Sequence, residues 1–151
     1  MTNLAHALNQ RNVSEEKKMK SIMMALGLCV IWFSAAWSDE TKIQTTIQSQ
    51  IEAFQRDDFI AAFEYASPNI QTIFKSSERF GLMVRRGYPM VYRPADIKFL
   101  ELQTIEDEFW QKVQIQDQQG RFHVMAYRML NIGGKWLING VQLLPSEEIG
   151  V

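Results

Sequence analysis

Apolar positions along this chain follow a helical period in the first half and a strand period in the second. From Thr41 to Arg56, Ile43, Ile47, Ile51 and Phe54 recur three or four residues apart, on one stripe of a helix. Gln44, Gln48, Gln50 and Gln55 fall largely on its other faces. Asp57 or Asp58 can cap a second, short helix carrying Phe59, Ala62, Phe63 and Ala66. Ser67-Pro68 reads as an N-cap with proline at the first helical position, opening a turn with Ile70, Ile73 and Phe74. Ser76 or Ser77 caps a fourth helix with Phe80, Met83 and Val84 on its apolar face. Glu78 and Arg85-Arg86 match its dipole, and Gly87 stands at the left-handed C′ position.

After Gly87 the period changes. Pro89 and Pro94 bracket an extended stretch, Met90-Val91-Tyr92-Arg93. Asp96 to Thr104, Phe109 to Gln116, Phe122 to Leu130 and Trp136 to Leu143 then each read as a strand. Phe109, Val113 and Ile115 share one parity, whereas the third strand is apolar on both faces, as a central strand would be. Asp117-Gln118-Gln119-Gly120 and Ile132-Gly133-Gly134-Lys135 are hairpin turns. Helices followed by a meander of about four antiparallel strands predict an α+β fold, with the helices on one sheet face.

The N-terminal segment reads as an address. Lys17, Lys18 and Lys20 precede an uncharged, mostly apolar run from Ser21 to Trp37, then a small-x-small end at Ala36 and Ser38. These are the three parts of a secretory signal peptide cut near Ser38/Asp39, with an uncleaved anchor as the alternative. Met19 opens a compact signal, so the true start is either Met1 or Met19. The expected organisation is a leader at 1–38 and one domain at 39–151. The protein would then be exported to the periplasm or secreted, with no membrane contact after the cut.

Composition narrows the chemistry. A 151-residue chain that is 46% hydrophobic and 22% charged has globular proportions and is long enough to bury a core. Its net charge of −1 offers no basic face for nucleic acid. The single cysteine, Cys29, would leave with the leader, and His123 would be the one histidine remaining. Zinc needs three or four ligands of those types, so no metal and no cofactor are expected. Glu106-Asp107-Glu108 lacks a glycine-containing calcium loop and reads as a solvated turn. Ser67, Ser76 and Ser77 serve as caps, and no Gly-x-Ser-x-Gly elbow is present.

Two stretches carry a resemblance. The run G-K-W-L-I-N-G-V, a turn followed by G-x-W-x-I, resembles the last strand of the NTF2-like (SnoaL-like) superfamily. Ile51-Glu52-Ala53-Phe54-Gln55-Arg56-Asp57-Asp58 to Ala66, Glu78-Arg79-Phe80, and V-R-R-G-Y-P-M-V-Y-R-P at Val84 to Pro94 resemble a small exported bacterial family catalogued as domain of unknown function 4864. The resemblance spans nearly all of residues 42 to 144. It implies the cone-shaped NTF2-like fold, with helices packed on a curved sheet, and a bacterial source. The outer sheet face of that fold is the usual place for a homodimer. No activity comes with the family, so function has to be argued from a site.

Three readings stay open. One is a non-enzymatic module binding a small apolar or anionic ligand, or a protein partner. On that reading Arg86, Tyr88, Tyr92 and Arg93 line the mouth of the cone as guanidinium forks and phenol donors, with Tyr127 beside them. A second is a cofactor-independent lyase or isomerase. Some superfamily members work in this way, here with Asp58, Glu64, Asp96 or Glu101 as base and Tyr88, Tyr92 or Tyr127 as partner. The third is a structural domain whose cone is filled by its own side chains. Trp136 and Phe122 read as core, Met83, Met125 and Met129 as core filler or pocket lining, and His123 as a half-exposed strand residue.

Overall fold

The computed structural model describes residues 33–145, with side chains from Asp39 onward. Among the described residues, 40–145 fall within one compact unit. Of the expected leader, residues 1–32 lie outside the described residues, and the last part, Phe33 to Ser38, is helical.

Helix α1 runs from Phe33 to Gln55, starting well before Thr41. Its stripe is buried as the spacing predicts: Ile43 and Ile47 are fully covered, and Ile51 and Phe54 nearly so. Gln50 corrects the expectation that the glutamines face away. It lies three residues after Ile47 and four before Phe54, on the same stripe, and is buried. Its Nε2 donates to the Ala62 carbonyl at 3.0 Å, which satisfies a polar group that burial would otherwise penalise.

Short helices follow, each with a readable start. In α2 (Phe59–Glu64) the Asp58 side chain accepts from the Ala61 N–H at 3.0 Å. In α3 (Pro68–Phe74) Ser67 caps the Ile70 N–H and Pro68 occupies the first turn. Lys75 closes α3 in the left-handed conformation. Ser76 caps α4 (Ser77–Gly87), whose first turn carries Glu78 and whose last carries Arg85 and Arg86. Gly87 is not left-handed: it ends α4 with an ordinary φ, and Tyr88 follows at φ −134°. The expected extended stretch after it is instead a single helical turn, α5 (Pro89–Tyr92). Proline at a helix's first position suits its fixed φ and missing N–H, and here that outweighs the extended bias of X-Pro sequences.

Strands β1 (Asp96–Ile105), β2 (Glu108–Gln116), β3 (Phe122–Ile132) and β4 (Lys135–Leu143) form one antiparallel meander in chain order. The fold is therefore α+β. Glu106 and Asp107, at φ 50° and 64°, make the two-residue β1–β2 turn, and Gly133 and Gly134 make the β3–β4 turn. The acidic triplet is thus a hairpin tip, with Glu108 leading into β2 and reaching Arg128 at 3.3 Å. In the register, Gln111 faces Tyr127 across β2–β3, and Tyr127 faces Val141 across β3–β4.

One parity of the sheet faces the helices. Val113, Ile115, Met125, Tyr127 and Met129 join the α1 stripe in the core, with Trp136 and Ile138 from β4. The parallel bridge Ala66↔Ile138 ties the α2–α3 link to β4. Phe122 corrects the expectation of a core residue. It belongs to the other parity of β3 and is 57% exposed, while Trp136 is buried edge-to-face on Phe109. Among the described residues no helix is long and apolar enough to cross a membrane.

Candidate functional site

Between the helices and the inner sheet face lies a cavity of about 240 Å³. Its aromatic side comes from α1, α3 and α4. Phe80 is the hub, with ring centroids 5.7 Å from Phe54 and 5.5 Å from Phe74. Met83 and Val84 extend that wall, and Tyr88 joins the lining where α4 gives way to α5. The sheet side is Tyr127 of β3 with Ile138 and Val141 of β4. Three polar side chains reach the lining, Gln50, Tyr88 and Tyr127, and all are neutral.

Tyr127 stands out. It is fully buried, and its hydroxyl has no hydrogen-bond partner among the described residues. Burial pushes its pKa well above the ordinary 10, so the phenol keeps its proton and remains a donor. Most buried phenols find a partner, and one that has none is a lasting cost.

Tyr92 and Arg93 go elsewhere. The Arg93 fork grips both Asp57 carboxylate oxygens at 2.9 Å and also donates to the Phe54 carbonyl at the end of α1. Its guanidinium lies 3.9 Å from the Tyr92 ring centroid, and the Tyr92 hydroxyl bonds to Asp57. Asp57 sits at φ 58°, left-handed for a residue that is not glycine, at the turn leaving α1. The Tyr92 and Arg93 hydrogen bonds hold the Asp57 carboxyl below its ordinary 3.8. This cluster fastens α5 to the end of α1.

A second knot closes the β2–β3 hairpin. Asp117 is buried and accepts from His123 Nε2 and the Arg121 guanidinium at 2.9 Å, and from the N–H groups of Gln119 and Arg121. The His123 bond, then the Arg121 bonds, hold the Asp117 carboxyl far below its ordinary value. A groove of about 210 Å³, bounded by Tyr92, Arg93, Asp117 and Arg121 among others, separates the two knots. Both of its acid–base pairs are already satisfied internally.

The five candidate residues therefore divide. Tyr88 and Tyr127 line one cavity, Tyr92 and Arg93 bind Asp57, and Arg86 is exposed at the end of α4. Asp58, Glu64, Asp96 and Glu101 are all exposed, and none lines the cavity. Among the described residues no group of three or more His, Cys, Asp or Glu is placed to hold a metal ion. The lining residues that sequence reasoning missed as a site are chiefly Gln50, Phe54, Phe74 and Val141. A glutamine in register with an apolar stripe was the one signal that pointed to them.

Comparison with known proteins adds two findings. The chain is similar to Protein U17/U16 of Human herpesvirus 6A, in strains GS and Uganda-1102, with 22% identity over 120 residues in each. The match takes in 78% of this chain and 35% of the viral protein, so the chain spans about a third of those relatives' length. The family model described as Domain of unknown function (DUF4864) matches residues 36–151, most of the chain. By that match this protein belongs to the DUF4864 family.

Proposed function

We propose that this domain is a non-enzymatic binding module that houses a small, mainly apolar, uncharged molecule between its helices and its sheet. The observation that carries the reading is the cavity itself: aromatic and aliphatic walls and no charged side chain. A charged ligand would be desolvated there with nothing opposite it, which disfavours an anion strongly. The lyase or isomerase reading needs a carboxylate at the cavity, and the four acids named for that role are exposed elsewhere. A cone filled by its own side chains would leave no such space.

On this reading the helices and curved sheet form an NTF2-like cone. The leader pattern from Lys17 to Ser38 supports export, with the module working in a bacterial periplasm. The viral relatives carry a name that states no activity, and nothing is transferred from them.

Binding of ethylbenzene to the full chain, followed by NMR chemical shifts, tests the reading. Saturable shifts centred on Val84, Tyr127 and Ile138 are expected, and Val141→Trp, which fills the cavity from β4, should abolish them. Absence of saturable binding, or binding untouched by Val141→Trp, would overturn it.

A further inference from the structure

One polar atom of the cavity wall is left over by the protein's own hydrogen bonds. We infer that the occupant is a neutral molecule with an apolar body of about one ring and a hydrogen-bond donor, a hydroxyl or an N–H, delivered to the side-chain carbonyl oxygen of Gln50. This rests on the binding reading above and specifies its chemistry.

Gln50 lies on the core-facing stripe of α1, is 3% exposed, and lines the cavity. Its amide has a fixed orientation. The Nε2 donates at 3.0 Å to the Ala62 carbonyl, an acceptor set free because α2 ends at Glu64 and the Ala66 N–H turns to the Phe63 carbonyl instead. Reversing the amide would set Oε1 against that carbonyl, acceptor on acceptor, so Oε1 points away from Ala62. There it accepts from no described residue. Unlike the Tyr127 hydroxyl and the Gln111 Oε1, it is not sealed off by the atoms around it. With the residue itself buried, the cavity is where this oxygen opens. An acceptor on an apolar wall is complemented by a ligand donor, which forms the bond in a setting where water does not compete.

The rest of the wall sets the shape and charge of the occupant. Its apolar body meets Phe54, Phe74, Phe80 and Met83, which suit ring edges and faces, with a flexible thioether to adapt to shape. The half-buried part of the lining includes Ile70, Phe74 and Met83 on α3 and α4, whereas Gln50 is buried on α1, so the donor end of the ligand enters first. At interior packing density, about 240 Å³ takes roughly ten non-hydrogen atoms. That size describes a single-ring phenol, a short alcohol or a small amide, and excludes a steroid or a long-chain lipid. The absence of a carboxylate in the lining separates this class from donors that carry a charge, such as ammonium ions.

Three probes test the inference on the full chain and on Gln50→Met: 4-ethylphenol, 4-ethyltoluene, which replaces the hydroxyl by a methyl of similar size, and benzylammonium. Dissociation constants come from NMR titration at neutral pH. An apolar cavity without an acceptor would rank the two neutral probes as their partition from water into an alkane does. The Gln50 oxygen should improve the place of 4-ethylphenol by more than about tenfold over that ranking. Gln50→Met should weaken 4-ethylphenol about tenfold and leave 4-ethyltoluene unchanged within about twofold. Independently of any variant, the Gln50 Cδ resonance of the wild-type chain should move downfield with 4-ethylphenol, as an amide carbonyl does on accepting a hydrogen bond, and much less with 4-ethyltoluene. Benzylammonium should not bind measurably. If Gln50→Met does not fold, the ranking and the Cδ shift decide. If both neutral probes bind but rank as in alkane, or Gln50→Met affects both equally or neither, or the Cδ resonance does not separate them, the donor inference is overturned while the binding module stands. Benzylammonium binding as tightly as 4-ethylphenol would overturn the neutrality of the ligand. If neither neutral probe binds, the proposed function itself fails, and this inference with it.

Discussion

Removing the Tyr127 hydroxyl should make the empty protein more stable. Truncating a buried, bonded tyrosine to phenylalanine ordinarily costs about 1 kcal/mol through the lost hydrogen bond. Here no described residue accepts from the hydroxyl, and the side chain is fully buried. An unsatisfied buried polar group costs about 1–3 kcal/mol, which Tyr127→Phe would recover. The opposing loss is small. A hydroxyl oxygen occupies on the order of 10 Å³, and at about 24 cal/mol per Å³ the enlarged void costs about 0.2 kcal/mol. The net expectation is a stabilisation of about 1–2 kcal/mol, or about 3–6 °C in melting temperature for a domain of this size. Urea unfolding of the full chain at neutral pH, monitored by tryptophan fluorescence, reads it directly. A loss of about 1 kcal/mol in the ligand-free variant would show that the hydroxyl has a partner after all, a trapped water included, and the reasoning from its isolation would fall.

Other positions give contrasting expectations. A Cβ on Gly81 would sit 2.3 Å from the Phe59 ring, which is itself stacked on Tyr92. Gly81→Ala should therefore destabilise by up to about 2 kcal/mol, overpacking of about 1–3 offset by about 1 of helix propensity. Gly87 has open space and an ordinary φ, so Gly87→Ala should be neutral or stabilising by up to about 1 kcal/mol, checked in the same thermal melts. Arg93→Ala should lower the melting temperature clearly and leave ethylbenzene affinity unchanged, whereas exposed Arg86→Ala should stay within about 0.5 kcal/mol of wild type. Asp117 is held below its unfolded pKa, so its contribution is present above about pH 4 and lost as pH falls toward the lower folded value. Acid titration of stability should steepen below pH 4 in the wild type, and Asp117→Asn should flatten that limb.

Elements whose signal is local are legible in the sequence alone. The α1 stripe, the three N-caps at Asp58, Ser67 and Ser76, and four strands in meander order all follow from period and turn chemistry over a few residues. Pattern reading fails where one residue carries two signals. Gln50 counts as polar, yet its position on the stripe and the Ala62 carbonyl decide its burial. Pro89 argues for extended backbone before it and for helix after it, and the second prevails. The site is legible only in part. Tyr127 can be placed on an inward parity of a central strand, but the space in front of it depends on how α3 and α4 meet β4. Arg93 looks free to bind a ligand because its partner Asp57 is 36 residues away, a pairing no short window contains. The local pattern of R-x-G-Y-x-x-V-Y-R-P marks a structured block, while only the tertiary fold shows that it anchors α5 to α1.

The central claim is that the space between α4 and the inner sheet face is a ligand site. Intermolecular nuclear Overhauser effects between bound ethylbenzene and the protein test it most directly. Cross-peaks are expected from the ligand's ring protons to the Met83 methyl, Val84 and the Phe80 ring, and from its methyl group to the Tyr127 ring, all lost in Val141→Trp. Cross-peaks instead to Trp110 and Ala126, on the opposite face of the sheet, would contradict it.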